Sequence, residues 1–389
     1  MSTDTLRLRH VTPEFRTYCG DDALGGLARE LERAGTERAV LVCVPAIAEH
    51  TEAMRRLHNA LGSRVAGVFD GVVEHSPLPA VEEARTYLGK ARADAVIAVG
   101  GGSAVVTARA ASILLAEDRD IRELCTQRGP DGSLVSPKLS AAKLPQWVVP
   151  STPTSAYAKA GAAVRDPASG ERLALYDPKI RAKGIALDPV LAGTAPARLV
   201  WTASLNVLSM AVEGLLSRTA DPLADALLCQ ALRMVVHWLP RLRAEPDTTA
   251  PRLQLMLAAL LSGQGSDYTG GGLAQALSHA VGPRSSAGNG VVEALLLPHV
   301  MRFDAEAVLH RFAQIGDVLR APDNFPEAVT VAVEQLLATL EVPTQLRDVG
   351  VTADALLESA DHAMDDWAIT AGPRTPDRRQ VIDLLTTAW

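Results

Sequence analysis

The chain has 389 residues, 48% hydrophobic but only 4% aromatic, with a formal net charge of −7; single cores seldom grow past about 250–300 residues, so two domains are expected. The acidic balance excludes the basic footprint of a nucleic-acid binder, and no apolar run is read as reaching the roughly 20 residues that span a bilayer. Nor does the N-terminal MSTDTLRLRH hold an apolar stretch able to serve as a secretory signal.

In chain order, an amphipathic helix over Leu24–Ala34 precedes a strand-length apolar run, Arg38–Val44. Arg64–Phe69, Ala95–Val99 and Trp147–Val149 are three further strands, with helical stretches between them. Strands that alternate with helices predict a parallel sheet covered on both faces. The turn-rich stretch Arg128–Gln146 is an exposed excursion. From about Ala197 long Ala/Leu segments take over: Leu199–Leu216, Pro222–Leu239, Ala250–Ser262, Leu273–His279, Val291–Arg302, Phe325–Leu340 and Arg378–Ala388. Glycine and proline clusters at 263–272 and 282–290 separate them. The boundary is placed at Asp188–Ala197, giving an α/β domain over residues 1–195 and an all-α domain over 196–389. Cys19, Cys43, Cys125 and Cys229 form no CxxC pair and read as reduced, structural residues. The expectation is a soluble, cytoplasmic protein.

Gly100, Gly101, Gly102 and Ser103 follow the Ala95–Val99 strand and open a helix. Glycines let a backbone approach a diphosphate closely, and a helix N-terminus offers free N–H groups and a positive dipole end to an anion. Ser103 is placed either to cap the helix or to meet a phosphate oxygen. The same loop also serves as a plain tight strand-to-helix turn, and its spacing is not GxGxxG.

These residues carry a family resemblance. IAVGGGSAVVTARA resembles the glycine loop of iron-type (group III) alcohol dehydrogenases, and AGVFDGVVEHSP at 66–77 the segment before it in maleylacetate reductases. VVPSTPTSAYAKAG at 148–161 sits where that family has a Pro-Thr-Thr loop. TASLNVLSMAVEGL (202–215), LAQALSHAVG (273–282), VVEALLLPHVMRFD (291–304) and the closing GPRTPDRRQVIDLLTTAW follow in the family's order. The resemblance implies a dehydroquinate synthase-like fold: an N-terminal nucleotide-binding domain, a helical C-terminal domain, a cleft between them, NAD or NADP as cofactor, and a homodimer. It places Gly100, Gly101, Gly102, Ser103, Ser151, Thr152, Thr154 and Arg172 beside the cofactor.

The family holds a divalent metal with one Asp and three His. Here those positions are Asn206, Met210, Gln275 and Asn289. Neutral amides and a thioether suit neither Fe²⁺ nor Zn²⁺, so no metal is expected; maleylacetate reductases also carry Asn at the first position. Further departures are Val106 for an aspartate, Arg109 for a lysine, and Val44 for the aspartate that meets the adenosine ribose, which leaves NADH against NADPH open. Tyr157 and Lys159 stand where Glu and Thr are usual.

Without a metal, the amides of Asn206, Gln275 and Asn289 are candidates to converge on the substrate oxygen as donors, or to be inert lining. His279, four residues after Gln275, shares its helical face and matches a family histidine near the nicotinamide; a lone histidine on such a face is otherwise a core residue. Lys159 and Tyr157 are the new ionisable groups, either catalytic or turned to solvent. His50, His75 and His299 read as peripheral. The favoured function is metal-independent NAD(P)H reduction of a small, maleylacetate-like carbonyl. The alternatives are a non-redox lyase, isomerase or cyclase on the same scaffold, and a catalytically silent homologue.

Overall fold

The computed structural model describes residues 10–129 and 133–389; the N-terminal reading for Met1–Arg9, and residues 130–132 within the turn-rich excursion, lie outside the described residues. The first half runs β1 (Arg16–Cys19), α1 (Ala23–Arg33), β2 (Ala39–Cys43), α2 (Pro45–Ala48), α3 (Thr51–Leu61), β3 (Val65–Phe69), α4 (Leu78–Lys90), β4 (Ala95–Gly100), α5 (Gly102–Glu117) and α6 (Ile121–Leu124). A short ribbon, β5 (Gln127–Arg128) and β6 (Leu134–Val135), precedes β7 (Gln146–Pro150), the hairpin β8 (Gly161–Arg165) and β9 (Arg172–Tyr176), β10 (Gly184–Leu187) and α7 (Pro189–Gly193). Six strands form one parallel sheet in the order β1-β10-β7-β4-β2-β3. β2, β4, β7 and β10 are buried along their whole length, which is why their sequences are unbroken apolar runs rather than alternating ones. From β2 the chain runs outward to β3 and then returns to β4 on the other side. That reversal opens a crevice beyond the carboxyl ends of β2 and β4, where open α/β sheets bind ligands. The glycine loop lies there.

The second half comprises α8 (Ala197–Leu216), α9 (Pro222–Ala244), α10 (Thr249–Thr269), α11 (Leu273–Val281), α12 (Asn289–Asp304), α13 (Phe312–Leu319), α14 (Pro326–Thr339), α15 (Ala355–Asp365) and α16 (Arg378–Ala388). α8 corrects the membrane reading: an 18-residue window of mean hydropathy 1.5 makes it long and apolar enough to cross a bilayer by composition alone. In the fold 72% of that window is buried, because α8 is packed among α9, α10 and α12.

The glycine cluster at 263–272 also differs from expectation. α10 runs through Gly263 and Gly265 to Thr269, since these glycines are close-packing positions. A Cβ on Gly263 would lie 2.4 Å from the Ser155 carbonyl oxygen, and one on Gly265 would lie 2.6 Å from Leu228 Cγ. The first contact presses the Ser155–Tyr157 turn of the sheet domain onto the helical domain and so fixes the loop that carries Lys159.

Candidate active site

The glycine loop and the Ser151–Thr154 segment form two walls of a narrow slot. Gly100 has φ +143°, a conformation glycine holds without strain. A Cβ on Gly101 would lie 2.5 Å from Thr152 Oγ1, and one on Gly102 would lie 3.3 Å from Thr154 Oγ1. The Ser151 N–H donates to the Gly100 carbonyl at 3.1 Å, tying the walls together. No side chain caps the N-terminus of α5, so its first N–H groups are free for an anion. Val44 closes the floor with a methyl group, 2.9 Å from a would-be Cβ on Gly100.

Ser103 does not cap the helix. It lies inside the first turn, where its Oγ accepts the His75 N–H at 3.2 Å and its carbonyl accepts the Ser76 hydroxyl at 3.1 Å. His75 is therefore not peripheral by its backbone: with Ser76 it adopts a left-handed conformation, φ +62° and +47°, and latches the segment before α4 onto the loop. His50, in contrast, only caps α3 by accepting the Ala53 N–H.

Beyond the slot, residues 156–161 are clamped from below. The fully buried Arg109 donates to the Gly161 carbonyl at 2.6 Å and the Ala156 carbonyl at 3.0 Å. Burial lowers its pKa to about 10. Tyr157 differs from expectation. Its ring is fully buried, its hydroxyl donates to the Thr152 carbonyl, and burial holds its pKa well above the ordinary phenol range. It anchors a wall of the slot and is not a free acid. Lys159, held between the two clamped carbonyls, is half-buried and makes no hydrogen bond or ion pair with any described residue. Burial lowers its pKa to about 8, against the pull of Asp267, Glu293 and Glu213. Asp267 is itself paired with Arg181.

His279 is oriented. Its Nδ1 lies 2.8 Å from Asp366 Oδ2, and Asp366 Oδ1 accepts the Ala368 N–H at 2.8 Å. Trp367 packs against the imidazole with ring centroids 5.0 Å apart, and the Arg172 guanidinium lies 5.1 Å from the same indole. Burial, then Arg172 and Lys159, hold the His279 pKa below its ordinary value, with Asp366 opposing. At neutral pH the ring is accordingly neutral, with Nδ1–H on Asp366 and Nε2 free to accept. Arg172, expected with the cofactor residues, is thus brought to the His279 side of the cleft.

The four positions that resemble a metal site hold Asn206, Met210, Gln275 and Asn289. The Asn206 Nδ2–H donates to Glu293 Oε2 at 2.5 Å, so that donor is not aimed at a substrate. Met210 is fully buried. The Gln275 carboxamide lies against Gly271 and that of Asn289 against Gly282, and no hydrogen bond joins the three amides among the described residues. With its donor committed to Glu293, Asn206 does not join the other two amides in meeting a substrate oxygen. No group of three or more His, Cys, Asp or Glu suited to a metal is found among the described residues.

Two carboxyls here escaped the sequence analysis. Glu213 accepts the Ala274 N–H at 2.6 Å and the Gln275 N–H at 3.2 Å, capping α11. Its pKa is raised well above the usual range by burial and then by Glu293. Glu293, fully buried, is pushed up to about 8 by burial although Asn206 and Lys159 pull it down. A single Glu inside an unbroken apolar run, as in VVEALLL, is the signal that marks such a residue.

Comparison with known proteins agrees with this geometry. The sequence pattern described as "Iron-containing alcohol dehydrogenase" matches residues 13–189, and that of the "Fe-containing alcohol dehydrogenase family, C-terminal" matches residues 200–389. Lactaldehyde reductase of Escherichia coli (strain K12) is 28% identical over 387 residues, covering 96% of this chain and 97% of that protein. Maleylacetate reductase 1 of Cupriavidus pinatubonensis is 25% identical over 381 residues, covering 96% and 95%. An alcohol dehydrogenase from Oenococcus oeni has the same fold, with TM-score 0.88 at 21% identity over 96% of this chain and 98% of that one. Maleylacetate reductase from Agrobacterium tumefaciens does so with TM-score 0.79 at 23% identity over 99% of both chains. At these identities the structural likeness speaks for the fold.

Proposed function

The chain belongs to the iron-containing alcohol dehydrogenase family of oxidoreductases, and on that footing we propose that it is a metal-independent, NAD(P)H-dependent reductase of a small carbonyl compound. The observation that carries the proposal is a contrast within one cleft. The glycine slot and an Asp366-held imidazole are intact, while the metal positions hold Asn206, tied to Glu293, the sealed Met210, and two neutral amides. Those donors do not fit Fe²⁺ or Zn²⁺.

A nicotinamide cofactor fits the slot and, when bound, supplies the hydride. Gly101, Gly102 and the α5 N-terminus hold its diphosphate, with Ser151, Thr152 and Thr154 opposite. Lys159 keeps a positive charge beside the oxygen as charge develops there, and its ammonium is the proton source that stays charged near neutral pH. In the oxidising direction the same path runs backwards: neutral Lys159 takes the alcohol proton, and the neutral His279 Nε2 is the acceptor that relays it onward. The homodimeric assembly is part of the proposal.

The test is absorbance at 340 nm with NADH or NADPH and a panel of small aldehydes and keto acids, in the presence of EDTA. Turnover under chelation is expected. If calorimetry detects neither cofactor binding to the wild-type protein, the proposal fails.

A further inference from the structure

Arg172 is a cation without a hydrogen-bonded counter-ion among the described residues. Its guanidinium lies over Trp367 at 5.1 Å and makes no hydrogen bond or ion pair with any described residue. The neighbouring Glu171 is committed to Arg122 at 2.8 Å. Asp366 is the carboxylate in electrostatic range, and its oxygens are taken by His279 and by the Ala368 N–H. The residue sits at the start of β9 and is exposed. A guanidinium held over an indole keeps its N–H edge available, and that fork of donors takes a carboxylate through two parallel hydrogen bonds. Trp367 contacts His279 as well, so that edge opens beside the proton-transfer group rather than beside the glycine slot. A second unpartnered cation, Lys159, serves the same cleft.

We propose that Arg172 anchors a carboxylate carried on the substrate, a short distance from the carbonyl that is reduced, making the preferred substrate an oxo acid rather than a neutral aldehyde or ketone. The proposal rests on the reductase function above and deepens it. Arg172 thereby belongs to substrate recognition and not to cofactor binding. The guanidinium comes from the β8–β9 hairpin and the indole beneath it from the segment after α15, so the site is assembled from both halves of the chain.

The experiment has two arms on wild type, Arg172→Gln and Arg172→Lys. In the first, calorimetry compares succinate with its diamide, an inert pair that differs only in charge. In the second, steady-state rates at 340 nm compare 4-oxobutanoate with butanal, and the Kd of NADH and NADPH is measured alongside. Succinate is expected to bind wild type and its diamide not to. Arg172→Gln should raise KM for 4-oxobutanoate on the order of 10–100-fold, the scale of hydrogen bonds to a charged group. Butanal should lose far less than 4-oxobutanoate, cofactor Kd should change only a few-fold, and Arg172→Lys should restore part of the loss. Equal binding of succinate and diamide, equal losses on both aldehydes, or an effect confined to NADPH affinity would overturn the proposal. Arg172-dependent succinate binding without any aldehyde reduction would uphold the anion site and remove the reductase function instead.

Discussion

Asp366 is the residue whose replacement speaks most directly to the chemistry. In Asp366→Asn one oxygen can still accept the Ala368 N–H, so the turn at Trp367 is kept. The other position becomes an NH₂ group facing His279 Nδ1. A donor there cannot accept Nδ1–H, so the ring is driven to the tautomer that carries its proton on Nε2, and Nε2 stops being an acceptor. The wild-type contact is 2.8 Å between buried partners, a charge-assisted bond of the kind worth about 1.5–3 kcal/mol. At about 1.36 kcal/mol per tenfold, turnover in the alcohol-oxidising direction should fall roughly 10–150-fold. The pH profile adds a readout that a merely structural role would not move. Asp366 raises the His279 pKa while burial, Arg172 and Lys159 lower it, so removing its charge lowers the pKa further. The imidazole is neutral above its pKa, and the acidic limb of kcat/KM for oxidation should move to lower pH. The assay is oxidation at 340 nm across pH 5–9 with melting temperature measured in parallel. A variant within threefold of wild type, with its acidic limb in place, would refute the role given to the dyad.

Four further outcomes are expected. Gly102→Asp places a carboxylate at the α5 N-terminus, where a Cβ already meets Thr154 Oγ1 at 3.3 Å; calorimetry should show nicotinamide cofactor binding lost with the melting temperature nearly unchanged. Purified protein should hold no stoichiometric Fe or Zn by elemental analysis, and EDTA should alter neither rate nor melting temperature. Glu293 has a pKa raised to about 8, so the folded state binds the extra proton, and stability drops as pH rises from the ordinary carboxyl range through about 8. Glu293→Gln, which keeps an acceptor for Asn206, should therefore raise the melting temperature at pH 8 and have little effect near pH 4.5. Tyr157→Phe leaves the buried Thr152 carbonyl without its donor, and denaturant titration should show a loss of about 1–3 kcal/mol with turnover changed only a few-fold.

The central strands were legible because strands buried on both faces are continuous apolar runs. β2, β3, β4 and β7 fall within a residue or two of the runs read at Arg38–Val44, Arg64–Phe69, Ala95–Val99 and Trp147–Val149. β1, RTYC, and β10, GIAL, were not, being four residues long and defined by pairing with each other rather than by local pattern. The β8–β9 hairpin, the short α13 and α15 were likewise missed. In the site, the glycine loop is local and was read directly. Asp366 with His279, and Glu293 with Asn206, are each separated by 87 residues. Nothing in either segment alone says that the other will meet it. Arg109 was noticed as a substitution, but its bonds to Ala156 and Gly161 depend on how the loop folds back over α5.

The charges in the cleft connect these observations. A site that carried a dication would favour ionised carboxylates and polarise an oxygen without moving a proton. Here the buried carboxyls Glu213 and Glu293 are both shifted toward the neutral acid, because burial disfavours the charged form and Glu293 further opposes ionisation of Glu213. The compensating charge is one ammonium, Lys159, itself lowered to about 8. An ammonium of that pKa is still protonated at pH 7 and yields its proton more readily than a solvated lysine. It can stabilise a developing alkoxide and then neutralise it, whereas a metal leaves the alkoxide bound and ionised until solvent intervenes. That difference favours carbonyl reduction over alcohol oxidation below pH 8 and reverses the preference as Lys159 deprotonates. A cleft where Lys159 and Arg172 lack a hydrogen-bonded partner among the described residues also gains most from a substrate that brings its own negative charge, so the proposed metal independence and the proposed preference for an oxo acid rest on one arrangement of charge.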